Sequence, residues 1–337
     1  MSLTRTGFVP SLPTLPTVPT RYRDAALFVL LAVLFGGAFV AIKTGLRELP
    51  PVLFASLRFD IAAVALLGYV AVTRPRSTWL PRGRGDLLGI GVAAVFLVGI
   101  NNGLLFLGQE TTTPATASVM YGLNPVLAPV FALWLLNDRL SRVGALGIGV
   151  ALSGVVIIVQ PSPSALADAS SVGQLLVLGA AAAVALGSVL LRRIGPQMDS
   201  VPLTAWAMAG GALLLHGGSL AAGESLASMA AIGPATVVSL FVVAVPSTAV
   251  AYAIHFGLIE RAGPVRANMV AYAVPVFAAL LGWLLLGAPV SRWTMIGFPV
   301  VVAGFTLVER DTLRRELCRL RRRTTDQTPS AAPPCDD

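Results

Sequence analysis

An arginine and an aspartate stand two positions apart inside an apolar run: Arg58 and Asp60 in PVLFASLRFDIAAVALLGYVAVT. A charge at that depth in a membrane span costs roughly 2.5–3.5 kcal/mol on insertion scales, so each needs a compensating role. Arginine can hold a carboxylate through two parallel hydrogen bonds, which lysine cannot copy. A desolvated aspartate has its pKa pushed up, which suits it to carry a coupled proton. Residues two apart on a helix point to nearly opposite faces, so the two do not form a local ion pair. Arg58 is therefore a candidate grip for an anionic substrate, and Asp60 a candidate proton carrier. The structural alternatives are a snorkelling or helix-linking arginine and a carboxylate bonded to a neighbouring helix.

Uncharged hydrogen-bonding groups recur at helical spacing in four other apolar runs. Thr248, Tyr252 and His255 follow i, i+4, i+7; Asn101, Asn102 and Gln109 stand in an earlier run. Tyr121 with Asn124, and Asn268 with Tyr272, complete the set. Such groups either line a polar cavity or bond helix to helix, at typically under about 1–2 kcal/mol each. The candidate substrate-binding residues are Arg58, Asn101, Asn102, Tyr121, Asn124, Thr248, Tyr252, Asn268 and Tyr272. No HExxH, Walker sequence, nucleophile–base pair or ligand cluster is present in the sequence, so no metal or cofactor is expected. Cys318 and Cys335 lie near the C-terminus without CxxC spacing.

These residues need elements to hold them. The chain is 55% hydrophobic and 12% charged, against about a quarter charged in soluble domains; its mean hydropathy is +0.80. That excludes a pair of soluble domains. The net charge of +8 sits at the ends of apolar runs rather than in a stripe, so no nucleic-acid partner is expected. With roughly 20 apolar residues per spanning helix, ten spans are expected, at 24–44, 51–73, 86–108, 114–136, 142–160, 172–192, 202–222, 234–257, 264–287 and 292–309. Pro125, Pro129, Pro246, Pro275 and Pro299 fall inside spans and should bend them.

The stretch Glu110 to Ile158 appears again 150 residues later, from Glu260 to Val308, without a gap. Pro114 matches Pro264, Pro125 matches Pro275, Gly147 matches Gly297 and Gly154 matches Gly304. The chain is thus a duplicated unit, a pattern of transporters whose substrate site lies between the halves. Five spans per copy turn the second copy upside down relative to the first. Arginines in the N-terminal lead, in loops 2–3, 4–5, 6–7 and 8–9 and in the tail place both termini in the cytoplasm. The glycines of spans 5 and 10 read as close-packing faces.

The run NPVLAPVFALWLLNDRLSRVGALGIGVALSGVVIIV, with FGGAFVAIKTG in span 1 and Leu57-Arg58-Phe59 in span 2, resembles the EamA domain of the drug/metabolite transporter superfamily. The resemblance covers about 24 to 309 in two copies. Asp138 stands where that family usually has Glu, and Ala288 replaces it in the second copy. The resemblance implies an all-α integral membrane protein of two inverted five-helix repeats, a central cavity, and movement of small metabolites, often export of amino acids or drugs.

The expected organisation is a disordered lead (1–22), a first repeat (23–160), a second repeat (161–309) and a basic cytoplasmic tail (310–337). In the tail, Leu313, Leu317 and Leu320 share one face among arginines, which suits a helix lying on anionic lipid. The expected function is secondary transport of a small organic solute across the cytoplasmic (inner) membrane, with a proton as the candidate coupling ion. An intramembrane enzyme, not supported by any reactive constellation, and a lipid-handling protein are the alternatives.

Overall fold

A computed structural model describes residues 20–138, 141–160, 168–251, 254–255, 258 and 269–310. Its described residues are helical throughout their regular structure. Residues 1–19 of the N-terminal lead, the tail beyond 310, Tyr252 and Asn268 lie outside the described residues, and residues 20–22 of the lead already belong to α1.

The first copy runs α1 (Thr20–Gly45), α2 (Pro51–Thr73), the single turn α3 (Arg76–Trp79), α4 (Arg84–Val92), a π-helical stretch Ala93–Ile100, α5 (Asn101–Thr111), α6 (Pro114–Tyr121), α7 (Asn124–Leu135) and α8 (Arg142–Val159). The second runs α9 (Ala169–Ile194), α10 (Ser200–Ala221), α11 (Pro234–Ala244), a π-helical stretch Val245–Val250, α12 (Val270–Leu286) and α13 (Arg292–Val308). Six helical stretches are long and apolar enough to cross a membrane; α12 and α13 are shorter apolar helices, and α11 with part of its π-helical continuation is another. Expected spans 1, 2, 5 and 6 correspond to α1, α2, α8 and α9, and span 3 to the α4–π–α5 rod. Span 4 is the helical stretch Pro114–Leu135, interrupted by a turn at Gly122–Leu123 between α6 and α7, with Pro125 in the first turn of α7. Proline lacks the amide that an unbroken helix would need there, and its fixed φ suits a first turn. In the second copy Pro275 lies inside the continuous α12, so the two prolines act differently.

Packing follows the duplication. The largest interfaces pair α8 with α13, α2 with α10, and α1 with α12; α9 packs on α5 and on α7. Under the offset of 150, α2/α10 and α8/α13 are self-related pairs, and α1/α12 is the image of α9 against α6 and α7. The two π-helical stretches also fall at equivalent places. Such stretches insert one residue into the helical ladder and rotate the turns beyond it.

The α8/α13 seam is a glycine contact. A Cβ on Gly304 would stand 2.3 Å from the Ala151 amide nitrogen, and one on Gly147 2.7 Å from the Gly304 carbonyl oxygen. Thr116 of α6 and Thr294 of α13 share a buried hydroxyl–hydroxyl bond of 2.9 Å. The main core gathers the apolar residues between the copies, among them Phe54, Phe106, Met120, Leu123 and Val126, each fully buried.

Candidate functional site

Arg58 reaches inward from the third turn of α2. Its Nη2 and Nε donate to Thr248 Oγ1 at 3.0 and 3.3 Å, and its Nη1 donates to Asn102 Oδ1 at 3.3 Å. Both acceptors come from the π-helical regions. Thr248 lies in the second stretch and donates its own hydroxyl proton to Val243 O at 2.8 Å. Asn102 stands just after the first and donates Nδ2 to Val98 O at 2.9 Å. That bond leaves Oδ1 as the atom facing the guanidinium. The widened helices thus present their polar groups to Arg58, which offsets part of the cost of a charge at this depth.

Arg58 and Asn102 line a cavity of about 1110 Å³ between the copies, together with Asn101, Tyr121, Asn124 and Ser118. Phe35, Phe39 and Phe59 supply its apolar wall. Gly122 and Pro125 also line it, so the break in the fourth span opens onto the cavity. Interrupted helices expose backbone groups at membrane depth only where these meet protein or a cavity.

One end of the cavity is closed. Here α2 and α11 begin and α5 ends. Lys43 donates to the carbonyls of Gln109 and Glu110 at 2.8 and 2.7 Å, covering the last turn of α5. The Glu224 carboxylate accepts the amides of Val52 and Leu53 at 3.1 and 2.7 Å, capping α2 from the other copy. Reciprocally, Glu48 accepts the Gly233 amide at 2.7 Å and the Thr236 hydroxyl at 2.6 Å, capping α11. Carboxylates at helix N-termini satisfy orphan amides and complement the helix dipole. The Thr236 and Gly233 donors hold the Glu48 carboxyl below the usual carboxylate range. Beneath this layer Phe54 and Phe106 meet edge to face at 5.3 Å, one turn beyond Arg58 and Asn102. Sequence reading does not join Lys43, Glu48 and Glu224; their positions beside predicted span ends are the available signal.

The opposite end, where α1 begins and α13 finishes, is open. Asp138, Arg192, Ser200, Thr204 and Glu309 line the mouth. Arg192 and Asp138 form an exposed ion pair there. At the same end, the buried Asp86 carboxylate in the first turn of α4 accepts the amides of Gln197 and Met198, each at 3.0 Å, and ties the α9–α10 loop to α4.

The sequence candidates divide. Arg58, Asn101, Asn102, Tyr121 and Asn124 meet at the cavity, and Thr248 stands behind Arg58. Tyr272 does not join them: it packs on Phe305 of α13, ring centroids 4.1 Å apart, while Ala271 and Val274 take the wall positions. Periodicity alone assigns its face, and in α12 it is Val270, Ala271 and Val274 that meet the cavity. Asp60 also stands apart. It is not among the cavity-lining residues, and its Oδ2 lies 2.8 Å from His216 Nε2 of α10, with 43% of the Asp60 side chain exposed. His216 is the partner that sequence reading misses; its only signal is an ionisable residue inside predicted span 7. His255, the last member of the Thr248–Tyr252–His255 stripe, lines the cavity and packs edge-on to Phe35 at 6.4 Å. Among the described residues no cluster of groups suited to hold a metal occurs.

The chain is similar to known proteins. The EamA-like transporter family matches residues 24–160 and again 171–310. A protein of Archaeoglobus fulgidus described as an uncharacterized transporter is 29% identical over 84% of this chain and 98% of its own length. A probable amino-acid metabolite efflux pump of Salmonella typhimurium is 28% identical over 84% of this chain and 93% of its own. An uncharacterized inner membrane transporter of Escherichia coli is 26% identical over 84% and 89%. A crystal structure superposes with a TM-score of 0.57 at 19% identity, covering 86% of this chain and 97% of the other, a likeness of fold. The chain belongs to the EamA-like transporter family.

Proposed function

We propose that this member of the EamA-like transporter family is a secondary exporter of small organic anions or zwitterions, and that Arg58 binds their carboxylate. The observation that carries this reading is the guanidinium held by Asn102 and Thr248 at the inner wall of a one-sided cavity. A bidentate carboxylate would replace the two side-chain acceptors, so the ligand costs no unpaired charge. The aromatic wall of Phe35, Phe39 and Phe59 would take an apolar substrate body. The amino-acid metabolite efflux pump among the relatives agrees with this substrate class.

In this reading the polypeptide crosses the inner membrane ten times as two inverted repeats, with both termini in the cytoplasm. The open mouth then faces the cytoplasm and the closed end the outside. The Glu48 and Glu224 caps and Lys43 close the outer side; export requires them to part while the mouth shuts, by movement of one copy against the other. The self-related seams α8/α13 and α2/α10 are the natural pivots.

The test compares metabolites in the medium of cells with and without the protein, followed by flux of each hit from proteoliposomes. A carboxylate-bearing solute exported by the intact chain and not by Arg58→Ala supports the proposal. Export confined to uncharged or cationic solutes would refute the substrate class, and turnover of a solute in detergent would favour an enzyme.

A further inference from the structure

The Asp60–His216 pair lies outside the cavity lining, and its placement is costly. Asp60 lies in the third turn of α2, roughly 13 Å along the helix from Pro51 at about 1.5 Å per residue. There the pair faces outward, with 43% of the Asp60 side chain and 33% of the His216 side chain exposed. Its surroundings are apolar and open: Val64 is 74% and Leu213 73% exposed. A Cβ placed on Gly68 or Gly217 would meet nothing within 4 Å. Half-exposed ionisable groups turned towards hydrocarbon are expensive, and are ordinarily covered by protein. Small residues on the same surface would let another helix approach closely.

We infer that this α2/α10 face is the interface of a homodimer in which Asp60 of each copy also bonds His216 of the other. Charge complementarity under two-fold symmetry favours this arrangement. Two copies inserted in the same sense are related by a two-fold axis along the membrane normal. That operation brings α2 of one copy against α10 of its partner. Asp60 and His216 are bonded to each other, so they share one depth, and each acid meets a histidine rather than a like group. Two isolated pairs become one alternating ring of four groups, sheltered from lipid on both sides. The same operation sets Val64, one turn from Asp60 along α2, opposite Leu213, nearly one turn from His216 along the antiparallel α10. A C2 interface of this kind is isologous and closes on itself. The proposal rests on α2 and α10 crossing the membrane, but not on any substrate assignment.

The test uses the full chain in lipid nanodiscs and in native membranes, with Cys318 and Cys335 replaced by serine. One tagged population carries Val64→Cys and a second Leu213→Cys. A short thiol-reactive crosslinker should join the two types at least tenfold more efficiently than Trp134→Cys with Trp283→Cys, which are exposed elsewhere on the surface. Single-molecule photobleaching should count two copies per nanodisc assembled at low lipid ratio. The double substitution Asp60→Leu with His216→Leu, verified as folded by monodisperse elution, should weaken association at least tenfold. A wild-type chain that remains a single copy at every lipid ratio would overturn the inference. So would equal crosslinking at the control positions, or undiminished dimerisation of the leucine variant.

Discussion

The two copies share a frame and differ in their chemistry. Both carry a π-helical stretch in the third helix, both use their fifth helix in the α8/α13 seam, and each lends a carboxylate to cap a helix of the other. At the cavity the likeness stops. Arg58 has Met208 as its counterpart, Asn102 has Tyr252, and Asn124 has Val274, so at the inner wall the first copy supplies the guanidinium and the amides. The first copy also breaks its fourth helix at Gly122, whereas α12 runs through Pro275 without interruption. Residues matched under the duplication do structural work; the guanidinium of Arg58 stands on one side only, and the proposed preference for anions rests on that asymmetry.

The comparison can be broken most severely at Arg58. Arg58→Met makes the position match its counterpart Met208 and removes the guanidinium. Hydrogen bonds to charged groups contribute about 1.5–3 kcal/mol, so carboxylate flux from proteoliposomes should fall roughly 10- to 100-fold at limiting substrate. An unchanged flux would mean that the asymmetry is without consequence. The shared frame breaks next. Gly304→Val forces side-chain atoms against the Ala151 backbone, and overpacking of this kind costs about 1–3 kcal/mol. Gly149→Val, which meets open space, should leave the thermal midpoint in detergent unchanged.

The reciprocal caps give a smaller effect. Glu224→Ala removes the acceptor for the Val52 and Leu53 amides, a loss of about 0.5–2 kcal/mol by analogy with other N-caps. It should raise labelling of a Leu105→Cys probe by an impermeant reagent added from the closed side. Glu48 gives the pH dependence. Its folded pKa lies below the ordinary value through Thr236 and Gly233. Its stabilisation is therefore present above the unfolded pKa and is lost as pH falls through the lowered folded value. Acid on that side should loosen the seal, and Glu48→Gln should remove this acid-dependent component. The smallest effect belongs to the exposed Arg192–Asp138 pair at the mouth. Asp138→Asn should change stability by under about 1 kcal/mol, in keeping with Ala288 at the equivalent place.

The duplication, the apolar helices and the glycine seam are legible because burial and close packing leave periodic marks in composition. Arg58 is legible because a charge in an apolar run must be used. The π-helical stretches are not, since an added residue in the ladder changes hydrogen bonding without changing residue type. Without them the facing of Thr248 and Asn102 towards Arg58 cannot be drawn. Asp60 is legible as a carboxylate that needs a neighbouring helix, but sequence gives its depth and not its rotation, and its partner His216 is 156 positions away. Tyr272 shows the same gap: it turns to Phe305 while Ala271 and Val274 meet the cavity.

The central claim is that Arg58 grips a carboxylate through its planar fork. The direct measurement is binding to purified chain in nanodiscs, wild type against Arg58→Lys, using a panel of amino acids and organic acids, each paired with its neutral amide. The account predicts at least one carboxylate bound by the wild type, weakened tenfold or more in Arg58→Lys, with its amide bound weakly by both. A carboxylate bound equally well by the lysine variant, or an amide bound as tightly as its acid, would contradict it.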